Sequence, residues 1–526
     1  MPLWGRQSLL GSGVISTASA AWSVLLALVT TPLLINGLGL SAFGVYSLAF
    51  SVVGLGAYLD LGLGWTSSKF VAEADARGDA ALVATTIRAS LLYHVFIGGL
   101  VLLAAIPAAR WIAETVLRFT GEDAADMQAL LAIAAVSFVA SSVSGVFVSA
   151  LRGVGRFAVA TVVATCSMSL SVGLAAAAAA FGLGPRPAAI GQLAGVLIGL
   201  AGAYLACHRL MLPTTRGAAV RQMRRMMSFS LWNFGNRLCQ AMVFHVDKIV
   251  VGRLAGAGAL PFYVVPMSLA QRVNFFGGPA VTAIYPAAAA GQFHRDAFLV
   301  RYSLASRIVH VLTAAVASVL IFSGDRFLAA WVNPQMGISG GPFLVLFAIG
   351  YWLLAVGSFD GACVEGWNRP QWTAGAVFSS LIIGTLVTIA LIPQRGSAEA
   401  VAIGVTVWLA GTGVGQMIAW YALARYDVRR FLLRTVLPVT EILVLAALLG
   451  RFLLPSVSAR LFVMMAVPLM MAVLAAYGVL RVLTHEERRG LLARVLGWFA
   501  ARRSRTLSAS DTDASAATPA VPHNGA

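Results

Sequence analysis

Between Gln7 and Leu59 the chain reads QSLLGSGVISTASAAWSVLLALVTTPLLINGLGLSAFGVYSLAFSVVGLGAYL, without one charged residue. The run is too long for a single membrane helix of about 20 residues and right for two joined by a short turn. Asn36-Gly37-Leu38-Gly39 supplies that turn, since its glycines end one helix, and a second span starts at Leu40 and ends near Asp60 and Gly64. The pattern then recurs. About 14 stretches are long and apolar enough to be spans, centred near Ala21, Val52, Phe96, Val139, Leu170, Ile198, Val243, Leu269, Ala315, Leu354, Ile383, Ala410, Val444 and Met470. The longest connections, at about 109–125, 209–227, 286–302 and 325–340, leave no room for a separate folded domain.

Composition agrees. Hydrophobic residues make up 59% and charged residues 11% of the 526 positions, and the mean hydropathy is +0.85. So much apolar surface excludes a soluble enzyme, a disordered chain and a disulfide-stapled secreted domain. The expected fold is an all-α polytopic membrane protein. The net charge of +17 would suggest nucleic acid in a soluble protein; here the basic residues mark cytoplasmic loops instead, and no nucleic-acid partner is expected. With the N-terminus inside, about 24 of the 37 Lys and Arg fall on the cytoplasmic side. This puts both termini in the cytoplasm.

Ala18-Ser19-Ala20 resembles a signal cleavage site, but the apolar run continues to Ile35 and so makes a full span. Cys166, Cys207, Cys239 and Cys363 sit in apolar stretches with no CxxC pair and read as packing residues. Residues 484–505 read as an amphipathic helix on the cytoplasmic surface, and residues 506–526, rich in Ser, Ala, Thr and Pro, as a disordered tail.

Aligning Tyr46 with Tyr263 sets Thr30–Gly39 against Asp247–Gly256. Both are apolar strings entering a glycine turn, with a tyrosine seven residues later. An even number of spans separates them, so the two copies share an orientation, as in transporters built from parallel repeats.

Three motifs resemble a known family. They are Pro32-Leu33-Leu34 with the Gly37–Gly39 turn and Phe43-Gly44-Val45-Tyr46, then Leu59-Asp60-Leu61-Gly62-Leu63-Gly64, and Asp247-Lys248-Ile249-Val250-Val251-Gly252-Arg253-Leu254. They are similar to the signatures of the polysaccharide (O-antigen, Wzx-type) flippases of the multidrug/oligosaccharidyl-lipid/polysaccharide exporter superfamily. The resemblance implies two six-helix lobes around a central cavity, spanning 1–215 and 216–424, with two further helices in 425–483. It implies alternating access that moves an undecaprenyl-pyrophosphate-linked oligosaccharide across the bacterial inner membrane. It also implies membrane lipids, a polysaccharide polymerase and chain-length machinery as partners, and a monomer.

A charge within a span costs at least about 2.5 kcal/mol, so such residues face a bundle interior or water. In helix 7, Ser230, Asn233, Arg237, Gln240 and Asp247 fall in one sector at about 100° per residue, with Lys248 beside it. Either this stripe lines a hydrated cavity whose cations suit phosphates, or Asp247 pairs with Lys248 or Arg253. Arg88, Arg272 and Arg307 either face the cavity or snorkel to headgroups. Asp60, Asp247, Asp360 and Glu365 are candidates for ion coupling or gating, with Na⁺ or H⁺ as the coupling ion and no other cofactor expected. Gly191, Gly195 and Gly199 form a doubled GxxxG that predicts close helix packing.

No catalytic constellation and no Walker lysine pattern is present, so neither an enzyme nor an ATP-driven pump is expected. The alternative readings are an ion-coupled drug/cation antiporter of the same superfamily and a membrane polymerase or ligase. In-span charges that are mostly cationic favour an anionic substrate.

Overall fold

Gly39 divides the charge-free opening run at the expected place. In the computed structural model, α1 (Leu9–Leu38) ends there and α2 (Leu40–Gly54) begins, with Gly39 at φ 83° as the N-cap of α2. The structure describes residues 9–56, 63–211, 218–227, 245–291, 295–425, 435–452 and 460–483. The remaining helices are α3 (Leu63–Ala76), α4 (Ala80–Trp111), α5 (Gly121–Gly153), α6 (Phe157–Ala180), α7 (Pro185–Cys207), α8 (Asp247–Ala255), α9 (Leu260–Ala270) and α10 (Asn274–Gly291). They are followed by α11 (Arg295–Trp331), α12 (Pro334–Gly366), α13 (Pro370–Arg395), α14 (Ser397–Ala424), α15 (Leu437–Phe452) and α16 (Arg460–Val482).

Every described residue that is in regular structure is helical, and ten of the helices are long and apolar enough to cross a membrane. The chain is therefore an all-α polytopic membrane protein. Thirteen of the expected span centres fall in these helices; Val243 lies outside the described residues, as do 484–505 and 506–526. Two expectations need correction. The segments taken as loops at 286–302 and 325–340 are largely helical, because α11 and α12 extend past their apolar middles. The span at Leu269 is built from two helices, α9 and α10, joined by a 3₁₀ turn at Gln271–Val273.

The parallel repeat is visible in the backbone. Gly256, aligned with Gly39 from sequence, has φ 83° and ψ 169° against φ 83° and ψ 164°, and each precedes the second helix of its copy. That conformation lies where a Cβ is strained, so both turns need glycine. The turns after α5 and α12 also match. Val154, Gly155 and Arg156 donate to Ala150, Arg152 and Leu151, and Trp367, Asn368 and Arg369 donate to Cys363, Glu365 and Val364. Packing follows the same rule: α4 on α5, α5 on α7 and α6 on α7 recur as α11 on α12, α12 on α14 and α13 on α14.

The two halves meet where α1 gives way to α2. A Cβ on Gly44 would overlap the carbonyl oxygen of Ala257 and lie 2.8 Å from its carbon, and one on Gly252 would lie 2.7 Å from Leu48. Trp331 donates its indole N–H to Leu28 O at 2.7 Å, and Asn36 donates to Val332 O at 3.4 Å. Within the first half, Gly191 and Gly195 touch the backbone of α6 at Leu174 and Ser171, as the doubled GxxxG requires.

Candidate functional site

The second-half copy of the end of α1, helix α8, places chemistry beside the junction. Asp247 opens α8 and is buried, 5% exposed. Lys248 Nζ donates to its two oxygens at 3.2 and 3.3 Å, and Tyr263 OH on α9 donates to Oδ2 at 2.9 Å. A carboxylate withdrawn from water is stable only when its lone pairs are so occupied.

Lys248 lines a cavity of about 400 Å³ with His245, Val264, Met267, Ser268, Gln271 and Tyr351. His245 also hydrogen-bonds the Ser51 backbone on α2 and packs over Gly54, so this cavity adjoins the contact between the two halves. Among the described lining residues, Lys248 is the one permanently charged cation. The opposite face of the same helical segment borders a second space of about 240 Å³ between α8, α13 and α14. Its walls are mostly apolar: Val246, Val250, Leu381, Ile389, Val405 and Trp408, with Asp247 at its edge.

The other predicted site residues disperse. Arg272 is half-buried and stacks over the Phe275 ring at 5.4 Å, on the turn that follows Gln271. Arg88 is half-buried on α4. Arg307 is buried and donates to Ser303 O at 2.9 Å and to Val482 O at 2.8 Å, so it braces α16. Asp360 is fully buried and accepts from Tyr302 OH at 2.7 Å, while its Oδ2 has no partner among the described residues. Glu365 is exposed at the end of α12, where Thr373 donates to it at 3.1 Å. Asp60, Asn233, Arg237 and Gln240 lie outside the described residues, as does Cys239. Cys207 and Cys363 are buried packing residues, whereas Cys166 is exposed.

Arg307 belongs to a pattern that composition concealed. Arg295 donates to Ala424 O, Arg326 to Gly450 O, Arg460 to Trp331 O and Arg253 to Val116 O, at 2.5–2.8 Å. Each target is a carbonyl at a helix end with no partner in its own helix. A guanidinium serves there because it stays charged and presents several donors in a fixed plane. Part of the arginine excess thus ties helices together. Sequence reasoning missed the tyrosines that hold the two buried aspartates; Tyr263 was visible only as the repeat partner of Tyr46, whose own hydroxyl bonds Gln192.

The fold and the junction cavity define a two-copy, multi-pass membrane protein. The chain belongs to the family described as "Polysaccharide biosynthesis protein", which matches residues 10–292. It is 20% identical over 373 residues, 70% of this chain and 87% of the relative, to a Shigella flexneri protein named "Putative O-antigen transporter". Its fold is similar to that of the lipid II flippase MurJ in an inward closed conformation, with TM-score 0.65 and 14% identity over 88% of this chain and 98% of that one. An inward-facing multidrug resistance transporter of the MATE family and MOP superfamily shares the fold with TM-score 0.59 and 16% identity, over 78% and 97% of the two chains. These relatives are transporters and flippases rather than enzymes.

Proposed function

We propose that this protein is a flippase of the bacterial inner membrane that moves an undecaprenyl-pyrophosphate-linked oligosaccharide from the cytoplasmic to the periplasmic leaflet, for O-antigen, capsule or exopolysaccharide assembly. One observation carries the reading: a chain of the polysaccharide biosynthesis family has a junction cavity of about 400 Å³ whose wall bears a lysine, a histidine and amide and hydroxyl donors. Such a wall suits a diphosphate, whereas an antiporter for drug cations would need carboxylates facing that space.

The halves 1–215 and 216–424 act as the bodies that rock, and the contact around Gly44 and Ala257 closes one side of the pathway. With both termini in the cytoplasm, that side is periplasmic. Asp247 and Asp360 are the carboxylates through which a Na⁺ or H⁺ gradient would act. The protein works as a monomer, next to the polymerase that consumes its product.

The test is the sidedness of lipid-linked oligosaccharide in inverted and right-side-out inner-membrane vesicles, with and without the protein, and with Lys248→Gln and Arg237→Ala variants. Sugar lipid trapped on the cytoplasmic leaflet without the protein supports the reading. Normal sidedness in its absence refutes it and moves the antiporter to first place.

A further inference from the structure

The helical segment from His245 to Val250 is a wall with two unlike faces. His245 and Lys248 look into the polar junction cavity, while Val246, Asp247 and Val250 border the apolar cleft between α13 and α14. The ion pair joins the faces: the fixed cation of the cavity is neutralised by a carboxylate that belongs to the cleft. With that pair closed, the described lining offers an incoming anion little net charge.

Among the described residues, the groups that face Asp247 come from few elements. Lys248 and His245 lie on its own segment, Tyr263 comes from α9 and Tyr351 from α12. From α13 and α14 the cleft receives Thr385, Thr388 and Trp408, none of them ionisable near neutral pH. On α2 the Ser51 backbone engages His245, the helix carries no charged residue, and the Tyr46 hydroxyl is engaged by Gln192. If Lys248 turned away, the described surroundings of Asp247 would hold one hydroxyl donor and no second permanent cation.

We propose that Lys248 is exchanged between Asp247 and the anionic substrate, and that a proton replaces it on Asp247. This rests on the flippase reading above. A phosphate oxygen entering the cavity takes the ammonium of Lys248, and Asp247 binds one proton from water on the side to which the cavity opens. Its neutral carboxyl stays in hydrogen bond with Tyr263. The balance is simple: the carboxylate gains H⁺, the ammonium keeps its protons, and the ion pair with Asp247 becomes one with phosphate. A buried carboxylate without its cation is too costly to leave charged. Binding of anion and of proton are therefore linked, and each strengthens the other by the same factor.

The probe is a soluble short-chain isoprenyl-diphosphate sugar, a diphosphate diester whose own charge does not vary across the working pH range. Its binding to the full-length protein in lipid nanodiscs is measured by calorimetry in buffers of different ionisation enthalpy. The wild type should take up about one proton per ligand and gain up to about tenfold in affinity for each unit of pH lowered. Asp247→Asn, which keeps the shape and the Tyr263 contact, should bind with pH-independent affinity and no proton uptake. Lys248→Gln should lose at least about tenfold at every pH, as expected when a charge-assisted bond is removed. His245→Gln should keep the proton uptake, because the proton belongs to Asp247.

Proton uptake that survives in Asp247→Asn, or vanishes in His245→Gln, overturns the proposal. So does dependence on Na⁺ at constant pH that Asp247→Asn abolishes. Ligand binding by the wild type without proton uptake sinks this inference alone; no binding at all sinks the lipid-linked reading with it.

Discussion

Replacing Gly44 by alanine should open the contact between the two halves. The added Cβ would lie 2.8 Å from the Ala257 carbonyl carbon, against 3.4–4 Å for ordinary contact, and what it meets is backbone, which cannot rotate aside. The helices must part by about 1 Å, and overpacking of this kind costs about 1–3 kcal/mol. The cost falls only on conformations in which α2 touches the α8–α9 turn. A penalty of that size shifts a two-state equilibrium by about 5–150-fold. The assay is disulfide trapping in a background with the native cysteines replaced, using Asn36→Cys with Val332→Cys, which meet across the two halves. Crosslinking should be rapid with Gly44 and fall at least about fivefold with alanine. Gly202→Ala, where a Cβ meets nothing within 4 Å, is the control. Unchanged crosslinking in a correctly folded Gly44→Ala protein would refute the reasoning.

Three further outcomes follow from the packing. Gly195→Val should lower the thermal unfolding temperature by several degrees, since its side chain would enter the α6 backbone at Leu170 and Ser171 and cost about 1–3 kcal/mol. Arg307→Ala should destabilise the docking of α16, losing a charge-assisted bond of about 1.5–3 kcal/mol. It should speed proteolysis after Val482 while leaving affinity for a diphosphate diester within about twofold, because Arg307 is not among the described residues that line the junction cavity. Asp360→Asn should keep the Tyr302 bond and unfold near the wild-type temperature, yet slow transport in vesicles under an ion gradient; equal rates would remove Asp360 from coupling.

The site was legible in part. Asp247 and Lys248 were found because charge is rare within spans and costly there, and helical periodicity predicted that they would border one sector. Periodicity could not say that they bond each other, since adjacent residues point about 100° apart and meet only if the lysine stem folds back. Arg307 shows the opposite limit. Its position suits a cavity, a headgroup or a helix end equally well, and only the arrival of Val482, 175 residues later, selects the third. Asp360 looked like an isolated charge until α11 brought Tyr302 against it.

The sequence by itself determined that this is a helical membrane protein, because apolar stretches of spanning length admit few alternatives when every backbone polar group must be satisfied within its own segment. It also pointed to the repeat through the alignment of Gly39 with Gly256, whose shared backbone conformation, one that other residues adopt only under strain, the structure then supplied. Only the tertiary structure decided which charges work and which brace. Partners such as Lys248 with Asp247, Tyr263 with Asp247 or Arg326 with Gly450 O depend on how helices distant in the chain are pressed together. Apart from small-residue seams such as the doubled GxxxG of α7, packing between apolar helices is set by side-chain shape across the whole bundle rather than by a local pattern of residues.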